Sequence, residues 1–377
     1  MTETSGISQV LDAWVASGRI PGYVAAVRTG GRTGVLVGGR RALDPGSAPM
    51  DSDTLFRIAS VTKPMGGALT LALVQDGLLG LDDPVTWWLP EAAGARVLEA
   101  PDAPLDRTTP LDRPVTVRHL LTGTSGWGIG MAATPLHAAM AERDVHPGPL
   151  PPPLTPDEFA ARVCALPLAF RPGDGWRYDT GIDLLGVLLA RAAGKPLSDL
   201  FAERITGPLG MTCTGFWTPD TARLATAYLP GPDGLDVLDP PGGAFAGPPL
   251  FEKLSGGLVS TATDVLRFCT AMADGGAPVL TAGSRDLLTA DALTDPQRRQ
   301  AEAFVGRGAS WALGTAVDLE TVEPWMAPGR WGWTGGTGTT AYVDPVRATV
   351  AVLLTQRALT GPRDSFDEFW TAVAAAA

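Results

Sequence analysis

Lysine is almost missing from this chain. Lys63, Lys195 and Lys253 stand against twenty-six arginines, so a lysine beside a serine invites a chemical explanation. Cysteine is scarce too. Cys164, Cys213 and Cys269 are odd in number and far apart, which fits buried thiols in a cytoplasmic protein better than a disulfide framework. None has a neighbouring histidine that would make it reactive. The three histidines, His119, His137 and His146, show no ligand spacing, and HExxH and CxxC are absent, so no metal site is expected. Neither GxGxxG after a strand nor GxxxxGK[ST] occurs, and no nucleotide or other cofactor is expected. No apolar run approaches the ~18 residues that span a bilayer, so no membrane partner is expected. Residues 1–18 lack a basic start and an apolar core, which argues against a signal peptide and for a cytoplasmic location. A GxSxG elbow is missing; Ser125 in GTSGW comes nearest but lacks the last glycine, which leaves a Ser–His–Asp hydrolase a weak rival.

What is present describes a globular protein. The 377 residues are 45% hydrophobic and 18% charged, enough for one large composite domain or two ordinary ones. The net charge of −11 is scattered, which excludes nucleic acid as a natural partner and reads as a solvated surface. Ile7, Val10, Leu11, Trp14 and Val15 recur at helical spacing. Residues 22–43 hold apolar β-branched runs around a glycine-rich turn, a hairpin signal. Met65 to Val74 suits a buried helix. From about 80 to 245, proline and glycine punctuate short helical pieces. Thr116 is placed to cap VRHLL, and HPGPLPPPLTP (146–156) must be loop. DEFAARVCALPL and GIDLLGVLLARAAGKPLSDLFAERI read as helices. Beyond 253, a capped helix is predicted from about Thr263, strands at 309–316, 328–344 and 347–356, and a last helix near Asp364. RATVAVLLTQ is continuous and apolar, as a central strand should be.

Three segments carry chemistry. In Ser60-Val61-Thr62-Lys63, residues three apart share a helix face, their Cβ atoms roughly 5–6 Å apart. A serine is a poor nucleophile until a neighbour takes its proton, and a lysine does this if burial or nearby positive charge lowers its pKa. A helix N-terminus also favours a developing oxyanion. With 13 serines and three lysines, chance supplies about 0.1 such pairs, so context must decide. Tyr178 follows a glycine-rich turn and precedes a helix, where a phenol can point into a cleft and trade protons with a lysine. In GRWGWTGGTGTTAYVDP (329–345), glycines after Trp333 allow a backbone N–H to approach a substrate carbonyl. Each alone has an ordinary structural reading: a solvated lysine, a half-buried tyrosine, a hairpin turn.

Together these segments resemble the serine β-lactamase and penicillin-binding-protein superfamily over most of the chain. Ser60–Lys63 matches its SxxK, Tyr178 the tyrosine of its YxN, and Trp333-Thr334-Gly335 sits where relatives have Lys-Thr-Gly or His-x-Gly. HLLTGTSG (119–126), PLGM (208–211) and SGGLVSTATDVLRF (255–268) support the match. The resemblance implies an acylated nucleophile at Ser60, its base partner at Lys63, a proton carrier at Tyr178, and an oxyanion hole from the N–H groups of Ser60 and Gly336. Trp333, Thr334 and Gly335 would face substrate.

Two departures narrow the substrate. Thr180 replaces the family asparagine, and the neutral Trp333 replaces a cation that helps bind a substrate carboxylate. Both resemble the family VIII carboxylesterase branch and related acyltransferases. The implied fold is α+β, an antiparallel sheet flanked by helices from residues 1–78 and 250–377, with a mainly helical insertion at 79–249 and the site between them. The expected activity is ester hydrolysis with a small or medium acyl group, with acyl transfer as a variant. The alternatives are a β-lactamase or D-peptide amidase or carboxypeptidase, then a silent binding module. The partner is a small-molecule ester or amide.

Overall fold

The computed structural model describes residues 5–361 and 364–377; the leader expectation falls partly on residues 1–4, outside the described residues. Its centre is a seven-stranded antiparallel sheet. The strands are β1 (Gly22–Thr29), β2 (Arg32–Gly39), β3 (Ala309–Trp311), β4 (Ala316–Asp318), β5 (Trp331–Gly335), β6 (Thr339–Asp344) and β7 (Thr349–Thr355), ordered β2-β1-β7-β6-β5-β4-β3. The hairpin β1–β2 turns on Gly30 and Gly31, with φ of 53° and 74°, the left-handed backbone that a two-residue turn demands. The helices that matter here are α1 (Ser5–Ala16), α2 (Thr62–Gln75), α3 (Thr180–Ala193), α4 (Ala262–Ala273), α5 (Asp295–Val305) and α6 (Asp367–Ala375).

Strand β7 shows why RATVAVLLTQ reads as continuous apolar sequence. Val350, Val352 and Leu354 face one core, while Ala351 and Leu353 face another. Side chains alternate across a strand, and this strand is covered on both faces. The second face is closed by Ile7, Leu11 and Trp14 of α1 with Phe369, Trp370 and Val373 of α6. The first face continues through α4 and α2 into α3, as one cluster that includes Val265, Phe268, Leu69, Leu184 and Leu188. Every residue of α2 from Thr62 to Leu73 is buried, so Lys63 starts life inside the protein.

Some boundaries move, for local reasons. The stretch 309–316 is not one strand; it covers β3 and the first residue of β4, because Gly314 at φ 87° turns the chain between them. The long helix read from Gly181 stops at Ala193, where Gly194 adopts the left-handed cap (φ 64°), and helix resumes at Leu197. The helix expected from Thr263 begins at Ala262, because the Thr261 hydroxyl accepts the N–H of Asp264. The final helix begins at Asp367, three residues past the predicted start. Thr116 caps its short helix as read. Cys164 and Cys269 are buried and Cys213 half-buried, all three free. Among the described residues no helix is long and apolar enough to cross a membrane.

Candidate active site

Ser60 lies in a single 3-10 turn, Ala59–Val61, that runs straight into α2. The turn is strained: Ala59 holds φ at +44°, a conformation that costs an L-residue about 1–2 kcal/mol. Its neighbours hold it there. Ile58 donates its N–H to Leu258 O at 2.9 Å and accepts the Thr339 hydroxyl at 2.8 Å, and Thr337 donates to Arg57 O at 2.6 Å. The end of β5 presses on the same turn. A Cβ at Gly335 would overlap the Ile58 carbonyl and the Thr339 hydroxyl, so only glycine allows the approach. At Gly336 the space beyond Cα is open.

Lys63 is fully buried and all three of its N–H groups have acceptors: Ser60 Oγ at 2.8 Å, the Ser255 carbonyl at 2.6 Å, and the Asp179 carboxylate. Tyr178 closes the other side of the serine, its hydroxyl donating to Ser60 Oγ at 2.9 Å. Lys63 Nζ sits 4.5 Å from the centre of the Tyr178 ring. Tyr178 is pinned through its backbone, exchanging hydrogen bonds of 2.8 and 3.1 Å with Ile129. Asp179 then takes φ 77°, ψ −70°, a sharp turn into α3. That turn brings two consecutive side chains, Tyr178 and Asp179, to the same lysine.

Behind Asp179 the polar network continues. Ser255 Oγ donates to Asp179 at 3.2 Å or to Asp183 at 2.9 Å, and the Ser255 N–H donates to Asp183 at 2.8 Å. Lys253, also buried, lies 3.6 Å from Asp179 and donates to Gly148 O at 2.6 Å. These contacts decide the charges. Burial works against the ammonium of Lys63, but Asp179 foremost, with Tyr178 and Asp183, outweighs it and holds the pKa above that of an ordinary lysine. Burial likewise opposes ionisation of Asp179, and Lys63 followed by Lys253 overrides it and lowers its pKa. Asp183 is raised to about 6, by burial first and by Asp179 beside it, against the pull of Lys253. Lys63 is therefore an ammonium, not the neutral amine that a lowered pKa would require.

Aromatic rings wall the tyrosine. Phe304 of α5 stacks on Tyr178 with centroids 5.0 Å apart, and Trp311 and Trp333 lie at 6.2 and 5.9 Å. Trp333 is buried, and its indole N–H donates to the Tyr178 oxygen at 2.7 Å. The structure thus brings Ser60, Lys63, Tyr178 and Trp333 together, with Gly335 and Gly336 beside the serine turn. Thr334 is not brought in: its hydroxyl pairs with Thr340 on β6 at 2.9 Å. Thr180 is buried with its hydroxyl unpartnered and lines a separate cavity with Asp183 and Lys253. The rival Ser125 is fully buried and accepts the N–H of Trp127, and His119 is held by the helix cap at Thr116.

Sequence reasoning missed Asp179, Asp183, Ser255 and Lys253. Two signals pointed to them. Asp179 and Asp183 are four apart at the start of a helix, hence on one face, and Lys253 is one of three lysines in the chain.

The chain is similar to known proteins over most of its length. The family profile described as Beta-lactamase matches residues 7–376. Protein Rv1367c of Mycobacterium tuberculosis is 40% identical over 84% of this chain and 81% of its own length. Esterase EstB of Burkholderia gladioli is 34% identical over 94% of this chain and 91% of its own. Among solved structures, EstCE1, described as a hydrolase with promiscuous acyltransferase activity, superposes with a TM-score of 0.83 at 26% identity, covering 99% of this chain and 98% of that one. With a profile match across nearly the whole chain and an SxxK serine seated between a lysine and a tyrosine, this protein belongs to the beta-lactamase family.

Proposed function

We propose that the protein is a serine hydrolase of carboxylesterase type, which forms an acyl-enzyme on Ser60 from esters with small or medium acyl groups. The observation that carries this is Ser60 Oγ held between Lys63 Nζ at 2.8 Å and the Tyr178 oxygen at 2.9 Å. In this reading Ser60 Oγ attacks the ester carbonyl and Tyr178 relays the proton: its oxygen takes up the serine proton while its own phenol proton passes toward the leaving-group oxygen. The Lys63 ammonium, 2.8 Å from Ser60 Oγ and 4.5 Å from the centre of the Tyr178 ring, offsets the negative charge that develops there. The Trp333 N–H steadies the Tyr178 oxygen. The oxyanion of the tetrahedral intermediate sits against the N–H groups of Ser60 and Gly336. The alcohol leaves with the phenol proton, the acyl group stays on Ser60, and water or a second alcohol then repeats the sequence in reverse. The likeness to EstB and to EstCE1 supports an ester as the substrate, and EstCE1 supports acyl transfer as the variant.

A β-lactamase or D-peptide amidase or carboxypeptidase is the second reading. Against it stand the neutral Trp333, engaged with Tyr178, and Thr180, which faces another cavity. Labelling with a fluorophosphonate, followed by intact mass and peptide mapping, tests the nucleophile: one adduct is expected on Ser60 and none in Ser60→Ala. An adduct on another serine overturns the assignment. A 4-nitrophenyl ester should be turned over faster than a chromogenic cephalosporin, and the reverse order would favour the second reading.

A further inference from the structure

Arg177 stands next to Tyr178 in the chain but lines a different space, a cavity of about 370 Å³ whose walls include Gly128, Ile129, Phe170, Gln300 and Ala303. This cavity shares its walls with the active site. Ile129 exchanges backbone hydrogen bonds with Tyr178, and α5, which supplies Gln300 and Ala303, stacks Phe304 on the Tyr178 ring. Arg177 is half-buried. It lies 5.4 Å from the Phe170 ring centre and donates one Nη1 N–H to Trp176 O at 3.0 Å. Among the described residues no carboxylate is within ion-pair distance of it. The acid on the same wall, Asp174, is paired with Arg113 at 3.0 Å.

A charge drawn partly out of water costs free energy unless it is paired, and folded proteins pair such charges as a rule. Burial pulls the pKa of Arg177 down with no acid to offset it, although an arginine stays ionised at any working pH. Other groups on the wall are also free to bind. Gln300 accepts the Trp176 N–H at 3.0 Å through Oε1, which leaves its NH₂ group as a donor, and His137 Nδ1 is buried without a partner. The backbone keeps the guanidinium accessible: a Cβ at Gly130 would come within 3.3 Å of Arg177 Nη1.

We propose that this cavity is an anion subsite, in which Arg177 and Gln300 bind a free carboxylate carried by the ester substrate. The proposal rests on the esterase reading of Ser60 and narrows its substrate class to esters bearing a second, ionised acid. The planar guanidinium fork matches a carboxylate, and the apolar walls from Ile129, Phe170 and Ala303 suit the aliphatic part of such an acid.

The test compares mono(4-nitrophenyl) suberate with its methyl ester, which is the same length and uncharged. The wild type is expected to prefer the charged ester in kcat/KM, and added salt should reduce the preference. Arg177→Gln should lower the charged-to-neutral ratio by about 10- to 100-fold, through loss of a charge-assisted hydrogen bond, and Arg177→Lys should restore part of it. Calorimetry with suberate alone should show binding to the wild type and much weaker binding to Arg177→Gln. An unchanged ratio, or equal suberate binding by both proteins, overturns the subsite while leaving the esterase reading intact. Cleavage of neither ester together with Arg177-dependent suberate binding keeps the subsite and overturns the esterase reading.

Discussion

Two cations flank Tyr178, and their surroundings are opposite. Lys63 is buried with an acceptor for each of its N–H groups, one of them a carboxylate whose other oxygen lies near Lys253. Arg177 is half-buried, with one backbone acceptor and, among the described residues, no acid within ion-pair distance. A cation whose every proton is placed belongs to the fold and keeps its charge through a reaction. A cation left unpaired is available to something that arrives from outside. The contrast separates the part of this site that is preorganised for chemistry from the part that can recognise a ligand.

The sharpest way to break the comparison is to remove each cation in turn. Lys63→Ala leaves the buried Asp179 with the more distant Lys253 as its remaining cation, and should cost about 3–5 kcal/mol in urea unfolding. Arg177→Ala orphans no carboxylate and should stay within about 1 kcal/mol of the wild type. Equal losses would show that the two cations are not different in kind.

The group between them comes next. Tyr178→Phe keeps the ring among Phe304, Trp311 and Trp333 but removes the oxygen at Ser60, so kcat should fall by about 10²–10⁴ with the fold preserved by circular dichroism. A kcat within threefold of wild type would place the proton transfer elsewhere. A smaller effect is expected for Trp333→Phe, which removes the N–H donated to the Tyr178 oxygen together with part of the ring. There kcat should drop about tenfold with little change in KM. A change confined to KM would instead make Trp333 a substrate-contacting residue.

The last measurement probes how complete the pairing around Lys63 is. Asp183 has a folded pKa near 6, above the carboxylate's value in an unfolded chain. Between about pH 4 and 6 the folded protein therefore holds a proton that the unfolded chain has lost. This residue's contribution to stability falls as the pH rises through that window and is flat above it. Asp183→Asn keeps the shape and should flatten the slope. Superimposable stability curves for the two proteins would mean that Asp183 is ionised throughout.

Much of the site was readable where chemistry and spacing are local. Ser60 and Lys63 are three apart at the start of a helix, so the chain puts them within reach without help from the rest of the fold. Tyr178 was legible from the turn before it and the helix after it. The central place of β7 was legible, because a continuous apolar strand must be covered on both faces. Asp179 was not legible. Neighbours in an extended chain point to opposite sides, and nothing in YDT announces that Asp179 will adopt φ 77° and reach the lysine that Tyr178 faces. The role of Trp333 was legible only as a missing cation. That its N–H would reach the Tyr178 oxygen depended on β5 meeting the loop before α3.

The sequence by itself determined the pairing of Ser60 with Lys63, the turn that presents Tyr178, the glycines at 335–336, and the absence of a cation at 333, because each is a matter of residue type and short spacing. Only the tertiary structure decided the charge of Lys63 and the isolation of Arg177. Those depend on which groups come within a few ångströms from elsewhere in the chain. Ser255 is 192 residues from Lys63 and Asp179 is 116, and in a buried site the sign of a pKa shift is set by such neighbours and not by the residue's own type.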